Sequence, residues 1–459
     1  MEYSTALEHI LSLADYERSS KSLSHSSFHL HRISLVMERL GNPHLDISTV
    51  HIAGSKGKGS TAALIASALT AQGYKTGMFT SPHLHSFCER IRVDGEPISR
   101  DDFAALVDEL WSLVEEVSQK GGYGEVTTFE MLTAMAFYHF HQRKADVQVI
   151  EAGLGGRLDT TNVVRPDVCV LTSISLDHVS ILGGTLESIA GEKAGIIKPG
   201  ATVVVAPQRK EALHVFQEAA RKANCPMVNV DAEVSWARGS WDYQGQSFSL
   251  KSRDESLQLW IPLLGQHQLE NAATARAALV ALNQKGLAIS QEGLERGFRD
   301  ARWPARLEVL DNNGKTLVVD GAHNPYSMKR LVEAITEYFT FRRLILIFGA
   351  TEGHNVEEMV LELAPATSLA IPARSRHPRA SSNAYIRDLF VAQSVPVGSE
   401  TKDTAEATRN ALELAKQGDL ILGTGSLFVA AEVREEVKGI APETYPSLQG
   451  VSERGRSWV

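Results

Sequence analysis

The residues with the clearest chemical purpose lie at 51–73, HIAGSKGKGSTAALIASALTAQG. A short apolar run ends at Ala53, and Gly54-Ser55-Lys56-Gly57-Lys58-Gly59-Ser60 then leads straight into an alanine-rich helical pattern. Glycines let backbone N–H groups point inward around phosphate oxygens, and a helix N-terminus adds the positive end of its dipole. Lys58 is placed to reach the β- and γ-phosphates as a point charge. The spacing departs from the general phosphate loop, which asks for glycine at 52 and a hydroxyl residue at 59, where this chain has Ile52 and Gly59. A glycine-rich turn without a ligand is the plain alternative. Gly-Lys between a strand and a helix favours a nucleotide phosphate site.

Nucleotide phosphates are normally bridged by Mg²⁺, which takes hard oxygen ligands and keeps several waters. Glu151 closes the apolar run ADVQVIE and precedes the glycine-rich AGLGGRLDTTN. Such an acid is either a solvated rim residue or a metal ligand. Ligands of open α/β sheets bind at the carboxyl ends of strands, which favours the second reading. His178 follows another apolar run, VCVLTSISLDH, beside Asp177. A lone histidine is more often a packing residue than a ligand, but its place at a strand end argues for a ligand. Lys193, in GEKAGIIKPG, reads by itself as an ordinary helix lysine.

The elements that must position these residues alternate between short β-rich runs and helical patterns, the mark of α/β units on a largely parallel sheet. Strands are predicted at 48–53, 75–79, 147–152, 168–174 and 202–206, with helices at 60–72, 101–117, 129–142 and 186–194. From 228 to 262 the pattern becomes alternating, as in VSWARGSWDYQGQSFSLKS, and predicts a small antiparallel appendage on the first domain. Helical patterns follow at 271–282 and 290–298. ARWPARLEVLDNN (301–313) carries a Trp-Pro break and an Asn-Asn-Gly turn signal. A fresh β/α alternation starts beyond it: strands at 316–319, 344–348, 368–371 and 419–422, and a helix from Pro325. The expected domains are therefore 1–302 and 303–459, with a Pro/Ser/Gly-rich tail from about 440 expected to be poorly ordered.

Composition narrows the function. The 459 residues carry a net charge of −9, with 43% hydrophobic and 22% charged residues, which excludes wholesale disorder. An acidic balance disfavours a dominant nucleic-acid role, because duplex binding needs a basic field. Cys88, Cys169 and Cys225 are too few and too scattered for a disulfide framework or a cysteine-built zinc site. The N-terminus has early acidic residues and no apolar core, unlike a signal peptide. No run reaches the roughly 18 apolar residues of a membrane span. A cytoplasmic protein is expected, and a monomer.

Read together, these stretches resemble the folylpolyglutamate synthase and dihydrofolate synthase group of the Mur ligase superfamily. The resemblance rests on AGSKGKGST, TSPHL (80–84) with ERI (89–91), TTFE (127–130), EAGLGGRLDTTN (151–162) and LDHVSILGGTLESIAGEKAGIIKPG (176–200). It continues in GQHQLENA (265–272), WPARLE (303–308), DGAHNP (320–325) and GTGSLF (423–428). It implies an α/β fold: a P-loop-containing Mur-ligase-like ATPase domain with the small β appendage, then a smaller Rossmann-like domain. It also implies an ATP-dependent ligase that joins glutamate to dihydropteroate or reduced folates, small-molecule substrates all, without nucleic acid or membrane.

Carried over by motif, the resemblance makes Gly54, Ser55, Lys56, Gly57, Lys58, Gly59 and Ser60 the phosphate-binding set. Lys58, His178 and Lys193 become the catalytic set. Ser81 and Glu151 would bind one Mg²⁺, and Glu151, His178 and Lys193 a second. The lysine of EKAGI is expected to be carbamylated, because an ammonium has no lone pair to offer a metal. Asn271 and His323 resemble adenosine contacts, Asp320 a ribose contact and Arg306 a phosphate contact. Pro82, His83, Arg90, Phe129, Arg157 and Asp159 resemble the acceptor pocket. The implied chemistry is attack of an acceptor carboxylate on the γ-phosphate, then attack of the glutamate amine on the acyl phosphate. ATP would lie between the domains, whose closure excludes water.

The chain also departs from the family pattern. Ser55-Lys56 stands where many relatives have Thr-Asn, so Lys56 either adds charge near the phosphates or faces solvent. Ala350-Thr351-Glu352-Gly353-His354-Asn355 replaces an Asp-Lys-Asp run associated with the incoming glutamate, so no glutamate-site residue is assigned there. SRHPRA (375–380) is basic and reads first as a solvated loop. The GTG at 423–425 lacks the spacing of a dinucleotide site. The alternatives are a Mur-type UDP-muramyl ligase, whose loop usually ends Lys-Thr-Ser/Thr, and a non-catalytic nucleotide or folate binder, which has no need of Ser81, Glu151, His178 and Lys193.

Overall fold

The computed structural model describes residues 1–15, 29–253, 255–312, 314–353 and 355–443. Within them the chain builds three sheets. The first has eight strands: β1 (Ser48–Ala53), β2 (Thr76–Phe79), β3 (Ile91–Val93), β4 (Glu96–Pro97), β5 (Val147–Glu151), β6 (Val168–Leu171), β7 (Thr202–Val205) and β8 (Met227–Asn229). Their order is β4-β3-β2-β5-β1-β6-β7-β8. From β2 to β8 the sheet is parallel, and β3 and β4 close one edge antiparallel. The central strands are apolar along their whole length because helices cover both faces. β1 runs between β5 and β6, with Ile52 opposite Glu151 and Val170. This register sets the phosphate loop, Glu151 and the segment before His178 side by side at the strands' carboxyl ends.

The second sheet is the antiparallel appendage β9 (Ser235–Asp242), β10 (Gly245–Lys251) and β11 (Ser256–Ile261). Its inward residues Phe248, Leu250, Leu257, Leu259 and Ile261 share one core with the phosphate-loop helix Lys58–Ala71 and the helix Gln266–Gln284. The third sheet contains β12 (Glu308–Asn312), β13 (Lys315–Val319), β14 (Arg343–Phe348), β15 (Leu369–Pro372) and β16 (Asp419–Thr424). Its order is β12-β13-β16-β14-β15, parallel except for β12.

Some expectations require correction. The strand predicted at 168–174 ends at Leu171, because residues 172–175 turn to wall the phosphate loop. Residues 308–312, read as part of a break, form the edge strand β12. Of the tail expected to be poorly ordered from about 440, only residues 440–443 are described, and they follow the helix Leu427–Lys438 against the rest of the chain. Ile440 N–H donates to the Glu435 carbonyl, and Glu443 is buried. Residues 444–459 lie outside the described residues. No helix among the described residues is long and apolar enough to cross a membrane.

Candidate active site

The phosphate loop is shaped by what surrounds it. Ser55 and Lys56 donate their backbone N–H groups to the Ser173 carbonyl, and the Ser55 hydroxyl donates to the Ser175 carbonyl. A Cβ on Gly54 would lie 1.8 Å from Thr172 Oγ1, so only glycine lets the loop pass this wall. Gly57 has φ +88° and N-caps the following helix, where no side chain accepts from the first turn. Those uncapped N–H groups are a ready anion site.

A Cβ on Gly57 would meet Asn271 Oδ1 at 2.3 Å, and one on Gly59 would meet the Trp303 ring at 2.6 Å. Gly57→Ala is therefore expected to displace Asn271 and strain the loop. ATP binding should weaken about tenfold and the fold lose roughly 1–2 kcal/mol, read as the KM for ATP and as a denaturation midpoint.

Glu151 ends β5 and is 4% exposed. Its carboxylate faces Lys58 Nζ at 3.8 Å and accepts the Ser81 N–H at 3.3 Å. Burial pushes its pKa up, against the pull of Lys58, the Ser81 amide and Arg306. The site thus holds a negative charge that its protein neighbours only partly compensate.

Lys193 is also 4% exposed, and its ammonium has no hydrogen-bond or ion-pair partner among the described residues. Burial, reinforced by the charge of Lys58, lowers its pKa to about 7. The neutral amine is therefore far more accessible than in an ordinary surface lysine. His178 sits in the left-handed region at φ 50°, with its ring 3.9 Å from Asp177. The ring is half exposed at the rim of the cleft; crowding by surrounding protein atoms, with Lys58, Lys56 and Lys193, lowers its pKa against the pull of Asp177.

Lys56 points into the site. Its ammonium is 2.8 Å from Asp177 and 3.5 Å from His323 Nε2 on the third sheet's side. Burial of Asp177 favours its neutral form, but Lys56, His178 and His323 outweigh this and hold it ionised. Arg306 lies against Gly321, and its charge acts on both Glu151 and Asp320. Asp320 accepts the N–H groups of Leu307 and Ala322, each at 2.8 Å, which folds the turn that carries Arg306. A cavity between the two units is lined by Pro82, His83, Trp303, Arg306 and Leu427.

The remaining sequence-selected residues are held differently. Arg90 is buried and donates to His83 Nδ1 at 2.9 Å. Asp159 accepts from Leu154 N–H at 2.8 Å and from both the N–H and the hydroxyl of Thr161, so it fixes its own turn. Arg157 lies on the rim against Glu192 and the Gly191 carbonyl. Phe129 packs over Gly153, 5.8 Å from the Phe79 ring. Thr172, Trp303 and the ion-pair role of Asp177 escaped sequence reasoning. Asp177 had a signal in its place beside His178, whereas the other two act by contact across the fold.

Two family models match the chain: the Mur ligase middle domain over residues 52–279 and the Mur ligase glutamate ligase domain over 305–427. Fold and site thus define a Mur-type ligase, an ATP-dependent enzyme that forms carbon–nitrogen bonds. The dihydrofolate synthase/folylpolyglutamate synthase of Bacillus subtilis is 38% identical over 413 residues, 89% of this chain and 95% of that protein. Among solved structures, Mycobacterium tuberculosis folylpolyglutamate synthase complexed with ADP superposes with a TM-score of 0.86 at 31% identity, covering 96% of this chain and all of that one. E. coli FolC in complex with DHPP and ADP gives 0.82 at 28% identity, covering 96% and 98%. The chain belongs to the dihydrofolate synthase/folylpolyglutamate synthase family.

Proposed function

We propose that this enzyme joins L-glutamate to dihydropteroate, to reduced folates, or to both, with ATP as the energy source. The observation that carries the reading is the meeting of Lys58, Glu151 and the Ser81 backbone within 4 Å at the carboxyl ends of β1, β5 and β2. The γ-phosphate and an acceptor carboxylate must meet at such a point. We further propose residues 1–302 as the ATP-binding unit and 303–459 as the glutamate-ligase unit, working as a cytoplasmic monomer.

Among the described residues no three His, Cys, Asp or Glu side chains gather as a ready metal site, so Mg²⁺ in two sites would rest on donors of mixed type. Ser81 offers a hydroxyl, Glu151 an under-compensated carboxylate and His178 a neutral nitrogen. Lys193 supplies an oxygen ligand once its neutral amine adds CO₂, forming an N–C bond and releasing one proton. When bound, the metal would neutralise the phosphate oxygens.

The chain's own groups do the rest. The N–H groups at the start of the helix Lys58–Ala71 hold the phosphates, and Lys58 stabilises the charge that develops during transfer. Lys56, already neutralised by Asp177, adds no net field but braces the loop against His323. Asn271 and His323 hold adenosine, Asp320 the ribose and Arg306 the phosphates from across the cavity. Pro82, His83, Arg90, Phe129, Arg157 and Asp159 shape the acceptor pocket. With the reactants so oriented, the acceptor carboxylate attacks the γ-phosphate and releases ADP; the glutamate amine then attacks the acyl phosphate and releases phosphate.

The test is coupled ADP release with ATP, Mg²⁺ and glutamate, comparing 7,8-dihydropteroate with tetrahydrofolate. Turnover with at least one acceptor is expected, and turnover with both makes the enzyme bifunctional. Release with neither overturns the reading.

A further inference from the structure

The two units touch on both flanks of the cavity. On one flank the appendage holds the end of the helix Pro325–Tyr338: Arg238 pairs with Glu337, and Trp241 packs on Tyr338 at 5.1 Å. On the other flank the contact falls on the turn that follows the acceptor-side loop 80–84. The helix Leu427–Lys438 brings Glu435 to 3.0 Å from His85 Nδ1 and Arg434 onto the other ring nitrogen. Five residues after that helix ends, Glu443 reaches the same turn.

We propose that Glu443 is a positioning residue for the ligation reaction: from the second unit it fixes the turn 85–90, and through it the loop 80–84 against the phosphate site. The inference rests on the function proposed above. Glu443 Oε2 accepts from the Tyr3 hydroxyl at 2.6 Å and the Ser86 hydroxyl at 2.8 Å, and Oε1 accepts from the Phe87 N–H at 3.2 Å. The residue is 9% exposed and forms no ion pair among the described residues. Burying a carboxylate among neutral donors is costly, and an apolar residue would close the same seam at less expense. What the carboxylate supplies is direction, since three donors from two separate segments converge on it.

The turn transmits that hold because it is internally rigid. Glu89 collects the N–H groups of Leu84, His85 and Ser86 at 3.0, 2.9 and 3.2 Å. Thr80 N–H donates to the Arg90 carbonyl, and Arg90 in turn grips His83. A displacement at Ser86 or Phe87 is thus carried to Ser81 and Pro82. The phosphate loop, by contrast, is braced by residues 172–175 and Asn271 and receives nothing from Glu443.

The test is kinetic and structural. Glu443→Ala is expected to lower kcat/KM for the pteridine acceptor about tenfold while leaving the KM for ATP within twofold of the parent. Adding Tyr3→Phe to Glu443→Ala should cost little more, because the hydroxyl's short bond to the carboxylate is already lost. Glu443→Gln should recover part of the loss. Arg409→Ala, which breaks an ion pair with Glu436 elsewhere on the same unit, should change nothing. By hydrogen exchange, amides 84–90 should open at least tenfold faster in Glu443→Ala, with those of 54–65 unchanged. Should Glu443→Ala not fold, Glu443→Gln and Tyr3→Phe carry the same test. Unchanged exchange at 84–90, or a parallel rise of both KM values, overturns the proposal. A parent that releases no ADP with either acceptor defeats the proposed function instead, and exchange still decides the role of Glu443.

Discussion

Glu151→Ala is expected to lower ligation turnover by a factor on the order of 10³, as befits a carboxylate that would hold the Mg²⁺ neutralising the transferring phosphoryl. The carboxylate lies where β5 ends beside β1, within 4 Å of Lys58 and on the Ser81 amide. The other sequence-selected or adjoining carboxylates among the described residues are engaged elsewhere: Asp159 with Leu154 and Thr161, Asp177 with Lys56, and Asp320 with Leu307 and Ala322. The measurement is kcat with saturating ATP and acceptor, across a Mg²⁺ titration. A variant that keeps more than a tenth of parental turnover would falsify the assignment.

The same substitution is expected to leave the free protein as stable as the parent or more so. Burial raises the pKa of Glu151, so the native fold carries a charge that it only partly compensates. Removing it relieves that cost, and Lys58 remains 17% exposed to solvent. A denaturation midpoint that holds or rises while turnover collapses separates a residue kept for chemistry from one kept for folding. A midpoint that falls in step with activity would instead make Glu151 a structural member of the sheet edge.

Much of this was legible in the sequence, for physical reasons. Strands β1, β5 and β7 announce themselves because both faces of the parallel sheet are buried and the runs are continuously apolar. The phosphate loop is a local motif, so its chemistry survives without knowledge of the fold. Lys193 was not legible from its own residue type. A lysine in a helix of eight residues reads as solvated, and only the packing of Gly156 onto its backbone and its 4% exposure reveal a buried amine. The role of Glu443 was equally hidden: it lies at the start of the Pro/Ser/Gly-rich tail, yet finds three donors that lie more than 350 residues earlier. Long-range polar contacts leave no period or motif in the chain, so these were out of reach. The edge strands β3, β4, β8 and β12 were missed because two to five residues carry too little pattern.

Buried histidines supply the second large effect, a loss of stability in mild acid. His51 lies in β1 beneath the phosphate loop, wholly buried between Ile150 and Cys169, and burial lowers its pKa to about 3. Its Nε2 meets the Thr161 hydroxyl at 2.9 Å, while Nδ1 has no acceptor for a second proton among the described residues. His44, 2% exposed and stacked on Phe137, is lowered by burial to about 4. The unfolded chain protonates both near pH 6.5, whereas the native state does not. Below that pH the unfolded state binds more protons, so stability falls as pH falls, until the native pKa values are reached. Glu151, Asp159 and Asp320 act in the opposite sense, because burial raises their pKa values and protonation relieves the native state.

The histidine share is isolated by difference. His51→Leu removes one titrating group while keeping an apolar side chain in the strand. The stability of parent minus variant is expected to be flat above pH 7 and to drop by roughly 3 kcal/mol by pH 4.5, measured by denaturant unfolding at each pH. A difference that does not vary with pH would mean that His51 binds a proton as readily in the native state as in the unfolded chain. Because β1 ends in the phosphate loop, the acid limb should also appear in function. Nucleotide affinity in the variant should persist about one pH unit lower than in the parent, since the strand that carries Gly54 to Lys58 no longer has to exclude a proton.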